Sequence, residues 1–268
     1  MNRTFVIFLL LAFPLTGFAG QRIGVFVGVD KYKHKQYRRL GVAVKDVKAI
    51  AERMCPSLDK TIELHNENAT YRAVESLFTV ELPKLSKPGD TVFIVWSGHG
   101  DHCPDDDGDE EDGLDEYLCP YDVDKEDPRT FVLDDKLYAW IQKLEERQIV
   151  LILDACYSAG MQKGPGKTFD FFGDEIGRDK TKEKSTHIVF ASSSGNEISF
   201  VHRSMKYSVF TYFLVEFLDK DKHGDIRDAQ KYMKPRIVEY LENFHATKDS
   251  VGASLFYPVS KPIRLKSR

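Results

Sequence analysis

The chain has 268 residues, 42% of them hydrophobic and 30% charged, with a formal charge of −4. This is the balance of an ordinary globular protein, enough for one large α/β domain or two small ones. It excludes a chain built of membrane spans, and the mild acidity argues against a nucleic-acid partner.

The first twenty residues, MNRTFVIFLLLAFPLTGFAG, have the anatomy of a secretory signal peptide. They comprise a short basic start at Arg3, an apolar run from Phe5 to Leu15, and Gly17 and Ala19 suited to the −3 and −1 positions of a cleavage site. The run is well short of the roughly 20 residues that span a bilayer. The expected product is an exported protein, periplasmic or secreted, with no stable membrane insertion after cleavage. Residues 21–268 then form a single domain.

Strand and helix patterns alternate from there. RIGVFVGVD (Arg22–Asp30) is the continuous apolar run of a buried parallel strand. In VAVKDVKAIAERM, the residues Val44, Val47, Ile50, Ala51 and Met54 make a helical stripe, with Asp46 off it. TIELHNENAT reads as a strand leading to a helix start at Asn68–Thr70, and YRAVESLFTVELPKL as an amphipathic helix. KPGDTVFIVWSGHG is a turn, a strand over Thr91–Trp96, then a His-Gly pair.

Next comes an acidic loop, 101–120. Nine carboxylates lie between Asp105 and Glu116 with no lysine or arginine among them, so the rest of the mature chain is net +4. Cys103 and Cys119 flank this loop, and in an exported protein a disulfide could pin its ends.

LDDKLYAWIQKLEER is a helix with Asp134 as its expected N-cap. QIVLILDACYSAG is an apolar strand ending in Asp-Ala-Cys. The stretch 161–185 is rich in Gly and Lys and reads as a flexible surface loop, and THIVFASSSGNE is a strand ending in small polar residues. Two helices follow, MKYSVFTYFLVEFL and AQKYMKPRIVEYLENF. The alternation predicts a mostly parallel sheet with helices on both faces.

In such a sheet, ligands sit beyond the carboxyl ends of the strands. His99 follows one strand end and Cys156 another, so both are expected at one crevice. A thiol there is a good nucleophile site, and an imidazole beside it can take or return a proton. The backbone N–H groups of Gly100 and Cys156 are placed to stabilise an oxyanion. Two further patterns carry no chemistry. GPGKT (Gly164–Thr168) lacks the earlier glycine of a phosphate loop, with Met161 in its place. DKDKHGD (Asp219–Asp225) has His223 and Gln230 at two ligand positions of an EF-hand, and reads as a turn between helices.

VFIVWSGHG, DGLDEYLCPYD and VLILDACYSAG, with GVD, AVKDV, HNENAT and SVFTYFLVEFL around them, resemble the caspase-like cysteine peptidases of family C14, most closely the metacaspases and their bacterial relatives. The resemblance runs from about Gly24 to about Tyr240. It implies the caspase-hemoglobinase fold and an endopeptidase with His99 and Cys156 as its dyad.

It also implies an acidic S1 pocket for Arg or Lys, formed by Asp46, Ser97 and Asp154, where carboxylates pair with a guanidinium. Other roles for these residues are a solvated helix face for Asp46 and the cap of a following helix for Asp154. Animal caspases carry Gln where Asp154 stands. Arg38 and Arg39 lie where caspases keep a pocket arginine, which leaves cleavage after Asp as a minority reading.

Many metacaspases need Ca²⁺, and their ligand positions map onto Asp115, Asp134 and Asp135. A fourth falls on Lys163, which would repel the ion, so Asp112 or a loop carbonyl would have to substitute. No organic cofactor is implied. The partners expected are protein or peptide substrates with a basic P1 residue, and the protein itself is expected to be a monomer. Lys163, Lys167, Arg178, Lys180, Lys182 and Lys184 make 161–185 a candidate for self-cleavage. The rival readings are a Ca²⁺-responsive binding module without useful turnover, and a clan-related peptidase cleaving after Asp or Asn.

Overall fold

The computed structural model describes residues 20–106, 113–157, 187–192, 206–221, 223–243, 254–256 and 263–266. Its centre is an eight-stranded sheet. The strands are β1 (Arg22–Gly28), β2 (Lys60–His65), β3 (Thr91–Pro104), β4 (Leu114–Leu118), β5 (Val132–Leu133), β6 (Gln148–Tyr157), β7 (His187–Ala191) and β8 (Ser254–Phe256). The main path runs β2-β1-β3-β6-β7-β8, with β4 and β5 attached to the far end of β3. β1, β2, β3, β6 and β7 are mutually parallel, whereas β8, β4 and β5 pair antiparallel.

Side-chain alternation divides the strands between two cores. Ile23, Val25, Val27, Val92, Ile94, Trp96, Ile149, Leu151 and Leu153 fill one face. They pack under α2 (Tyr71–Ser76), the π-helical segment Leu77–Glu81, α3 (Leu82–Leu85) and α4 (Asp134–Gln142). Phe26, Phe93, Val95, Val150, Ile152 and Phe190 fill the other. They lie under α1 (Ala43–Met54), α5 (Val209–Lys220) and α6 (Ile226–Asn243). Strands buried on both faces must read as unbroken apolar runs, which is why the central ones were legible. β2 is the exception. It is an edge strand whose Lys60 and Glu63 keep that edge charged.

Local chemistry sets the element ends. Thr70 caps α2 by accepting from the Ala73 N–H, within the helix start expected at Asn68–Thr70. α1 has no side-chain cap of its own. Instead Asp30, just past β1, accepts from the N–H groups of Ala43 and Val44 at 2.8 and 3.2 Å, so its carboxylate meets the positive end of the helix. Gly28 lets α1 approach, since a Cβ there would stand 2.7 Å from the Val47 side chain and 3.0 Å from the Val44 Cα.

Three expectations need correction here. Asp134 is the first residue of α4 and not its cap, because Leu133 holds that position and no side chain caps it. The strand expected at Thr91–Trp96 runs on to Pro104, because β4 pairs with its second half. The Cys103–Cys119 bridge is excluded by register. Cys103 lies opposite Asp115, whereas the Cys119 N–H donates to the His99 carbonyl four residues away. Four residues of strand is about 13 Å, beyond the roughly 7 Å over which two Cα atoms can be bridged. Both thiols are free.

The Asp219–Asp225 stretch forms the expected turn between α5 and α6, with Asp221 accepting from the N–H groups of His223 and Gly224.

Candidate active site

The site forms where β3 changes partners. Up to Ser97 its outer edge is paired with β1, and the last bond of that ladder runs from the Val29 N–H to the Ser97 carbonyl. From Gly100 onward the same edge pairs with β4. Between the two, the His99 N–H belongs to neither strand, and a buried orphan donor is costly. Tyr32 resolves this. Its hydroxyl accepts from the His99 N–H at 2.7 Å and donates to the Val29 carbonyl at 3.1 Å.

The imidazole is fixed just as closely. Its Nε2 lies 2.8 Å from the Arg38 carbonyl, and the rings of Tyr32 and Tyr37 stand 5.2 and 6.0 Å from it. A carbonyl can only accept, so Nε2 carries the proton and the neutral ring presents Nδ1 as its acceptor. Nδ1 is buried and has no hydrogen-bond partner among the described residues. Burial, the largest influence, holds the His99 pKa below its ordinary value, and the bond to Arg38 opposes this only in part. The resting imidazole is therefore neutral and available as a base.

Parallel pairing of β3 with β6 sets His99 directly opposite Cys156, and Ser97 directly opposite Asp154. The two pairs are two residues apart along the strands, about 7 Å, and the pleat puts Ser97, Asp154 and His99 on the α1–α5 face. One ladder thus carries both the predicted dyad and two of the three predicted pocket residues. Gly100 follows at the point where β3 faces Tyr157 on β6 and Leu118 on β4.

Asp46 comes to the same place from α1. It is fully buried, so the solvated-face alternative is overturned. Its Oδ2 accepts from the Ser97 hydroxyl at 3.1 Å, and its Oδ1 from the Ser208 N–H at 3.1 Å. Burial first, and the neighbouring Asp154 second, push its pKa well above the ordinary carboxylate range. Asp154 is equally enclosed and accepts from the hydroxyls of Ser208 and Thr211. It lies within β6 and also at the N-terminus of α5, whose cap is Ser208. The three residues expected in the pocket are therefore brought together. Arg38 and Arg39 have exposed side chains.

Sequence reasoning missed Tyr32, the Arg38 carbonyl, Ser208 and Thr211. Ser208 alone carried a signal, being a serine directly before a strongly apolar helix. Nothing in DKYK marks Tyr32, since its role depends on a gap between two strands distant in sequence.

The acidic end is different. Asp115 and Asp134 are buried and Asp135 is half-buried, while Asp112 lies outside the described residues. Burial, then Asp115, Asp106, Asp134 and Asp101, raise the Cys103 pKa to about 11. These carboxylates thus converge on one thiol. Even so, among the described residues no group of three or more His, Cys, Asp or Glu is arranged to hold a metal ion. The partial donor set is of the hard-oxygen type that suits Ca²⁺. Lys163 and the rest of 161–185 also lie outside the described residues.

A mostly parallel sheet that pairs a histidine with a cysteine across two strands, with two buried carboxylates nearby, is the arrangement expected of the caspase-like fold. The family described as metacaspase, peptidase C14 domain, matches residues 22–165, and the chain belongs to it. Metacaspase-7 of Arabidopsis thaliana is 27% identical over 187 residues, which is 69% of this chain and 39% of that protein. Metacaspase-1 of Saccharomyces cerevisiae is 35% identical over 79 residues, 29% of this chain and 18% of that protein. The chain therefore spans well under half the length of these curated relatives.

Among solved structures, a Geobacter sulfurreducens protein superposes with a TM-score of 0.62 at 20% identity, covering 88% of this chain and 92% of that one. Caspase-1 from Spodoptera frugiperda gives 0.63 at 9% identity, covering 93% and 91%. At such identities the likeness is one of fold, and it agrees with the mostly parallel sheet flanked by helices on both faces.

Proposed function

We propose that the protein is an exported cysteine endopeptidase that hydrolyses peptide bonds after Arg or Lys. The observation that carries this reading is the paired ladder, with Ser97 and Asp154 beneath His99 and Cys156 and Asp46 closing the pocket from α1.

Cys156 attacks the scissile carbonyl carbon and its thiol proton passes to His99 Nδ1. The N–H groups of Gly100 and Cys156 hold the resulting oxyanion. Collapse expels the amine, which takes the proton from Nδ1 and leaves a thioester. Water then attacks the thioester with His99 as base, releasing the carboxylic acid and restoring the thiol. His99 suits both steps because the Arg38 carbonyl holds its other nitrogen protonated and in place.

Two buried carboxylates support a cationic P1 side chain and disfavour an acidic one. Burial first, and repulsion from Asp154 second, keep the Asp46 pKa high, and a cation entering the pocket would offset both. Asp115, Asp134 and Asp135, with Asp112, are the residues that would hold Ca²⁺. The ion would supply positive charge to an end of the sheet rich in carboxylates, and its removal by chelator is expected to reduce activity.

The test is hydrolysis of fluorogenic peptides ending in Arg, Lys, Asp or Asn, with Ca²⁺ and with chelator, using Cys156→Ala as control. Cleavage after Arg and Lys that requires Cys156 is the expected result. Cleavage after Asp or Asn would move the chain to the clan-related reading, and absence of any Cys156-dependent cleavage would favour a binding module. Calorimetric titration with Ca²⁺ checks the ion independently of turnover. N-terminal sequencing of the exported protein checks removal of the first twenty residues.

A further inference from the structure

Ser192 stands immediately after β7, and its N–H donates to the Leu153 carbonyl at 2.8 Å. This continues the β6–β7 register, in which Leu153 faces Ala191, by one residue, so Ser192 lies beside Asp154. Alternation puts it on the α1–α5 face. Phe190, two residues earlier, belongs to the core under α1 and α5, as does Ile152, two residues before Asp154. Ser97, Asp154 and Ser192 thus form one row across three adjacent strands.

Ser192 is 1% exposed, and its Oγ has no hydrogen-bond partner among the described residues. A buried hydroxyl without a partner is destabilising, and native proteins keep few of them. Among the described residues, the hydroxyls bonded to the two carboxylates are engaged, since Ser97 donates to Asp46 while Ser208 and Thr211 donate to Asp154.

We infer that Ser192 is a specificity-determining residue of the S1 pocket, its hydroxyl accepting a hydrogen bond from the guanidinium of a P1 arginine. This rests on the basic-P1 reading above and refines it. A guanidinium presents five N–H donors in a fixed plane, and two carboxylates that already accept from Ser97, Ser208 and Thr211 leave the outermost donors needing another acceptor. An ammonium has three donors on a compact centre that rotates to whichever oxygens are nearest, so lysine depends less on this hydroxyl.

The test compares wild type and Ser192→Ala on matched P1-Arg and P1-Lys peptides, with kcat and KM resolved and Tm measured. The expected variant raises KM for the arginine peptide about tenfold, the worth of one hydrogen bond to a charged group, with kcat nearly unchanged. The lysine peptide changes by less than about twofold, so the Arg:Lys preference falls. Its Tm equals or exceeds that of wild type, because the substitution removes an unsatisfied buried hydroxyl. An unchanged Arg:Lys ratio, or an equal loss on both peptides, overturns the assignment. Wild type that cleaves neither peptide in a Cys156-dependent way overturns the basic-P1 reading, and Ser192's role with it.

Discussion

The Nε2 of His99 faces the Arg38 carbonyl and its Nδ1 faces no partner among the described residues, while burial lowers its pKa below 6.5. The acid limb of kcat/KM is therefore expected below pH 6.5, where the free base becomes protonated. Stability follows the same sign. A depressed folded-state pKa leaves full stability above the unfolded value, and stability is lost as pH falls from 6.5 through the folded value. Urea midpoints of wild type and His99→Gln at pH 7.5 and 5.5 check this, the variant losing less between the two. Asp46 has the opposite sign. Its raised pKa means that stability is fully present below about 3.8, the unfolded value, and is lost as pH rises through the folded one. Asp46→Asn is thus expected to raise the urea midpoint, more at pH 8 than at pH 4, while lowering kcat/KM for basic P1 peptides by about a hundredfold. Stability curves at both pH values, with peptide kinetics, test the pair of effects.

Among the elements, α5 does most to assemble the pocket. Ser208 caps the helix by accepting from the Thr211 N–H at 3.0 Å, and it also touches both pocket carboxylates, Asp46 through its N–H and Asp154 through its hydroxyl. One residue therefore joins α1, β6 and α5. Ser208→Ala keeps the N–H but loses the cap and the bond to Asp154, an expected cost of about 2 kcal/mol. Urea unfolding checks the loss, and the same variant should weaken binding of basic P1 peptides more than it slows turnover. The loop between β1 and α1 is the second such device. Asp30 fastens it to the helix start, and Tyr32 and Arg38 carry its contacts to His99.

Across the whole molecule, distant parts of the chain close the core under α1 and α5. Arg22, at the start of β1, donates to the Arg264 carbonyl at 2.7 Å, and Ile226 donates to the Ile263 carbonyl at 3.0 Å. Ile263 and Leu265 are both buried in that core. Removing residues 263–268 deletes two buried side chains worth about 2 kcal/mol each and exposes their neighbours. A Tm lowered by several degrees, with the Arg:Lys preference unchanged, is the expected outcome, measured by calorimetry and peptide kinetics. An unchanged Tm would mean that this segment carries no stability.

The sequence by itself determined the strands buried on both faces, because burial demands unbroken apolar runs, and the meeting of His99 and Cys156 across β3 and β6, because small residues around a histidine and a cysteine at two strand ends are a sparse pattern. It also carried Asp46, Ser97 and Asp154 through their resemblance to a known pocket. Tertiary structure alone decided that Asp46 is buried and not solvated, since its position off the apolar stripe of α1 suited either outcome. It alone decided that β3 runs past His99, because the partner that extends it, β4, lies at the far end of the acidic stretch and returns to pair only in the fold. The Cys103–Cys119 pairing failed for the same reason, because adjacency in a hairpin depends on register and a cysteine count does not encode register. Tyr32, the Arg38 carbonyl and Ser208 were invisible for a common physical cause: each acts through a hydrogen bond to a residue 54 to 162 positions away.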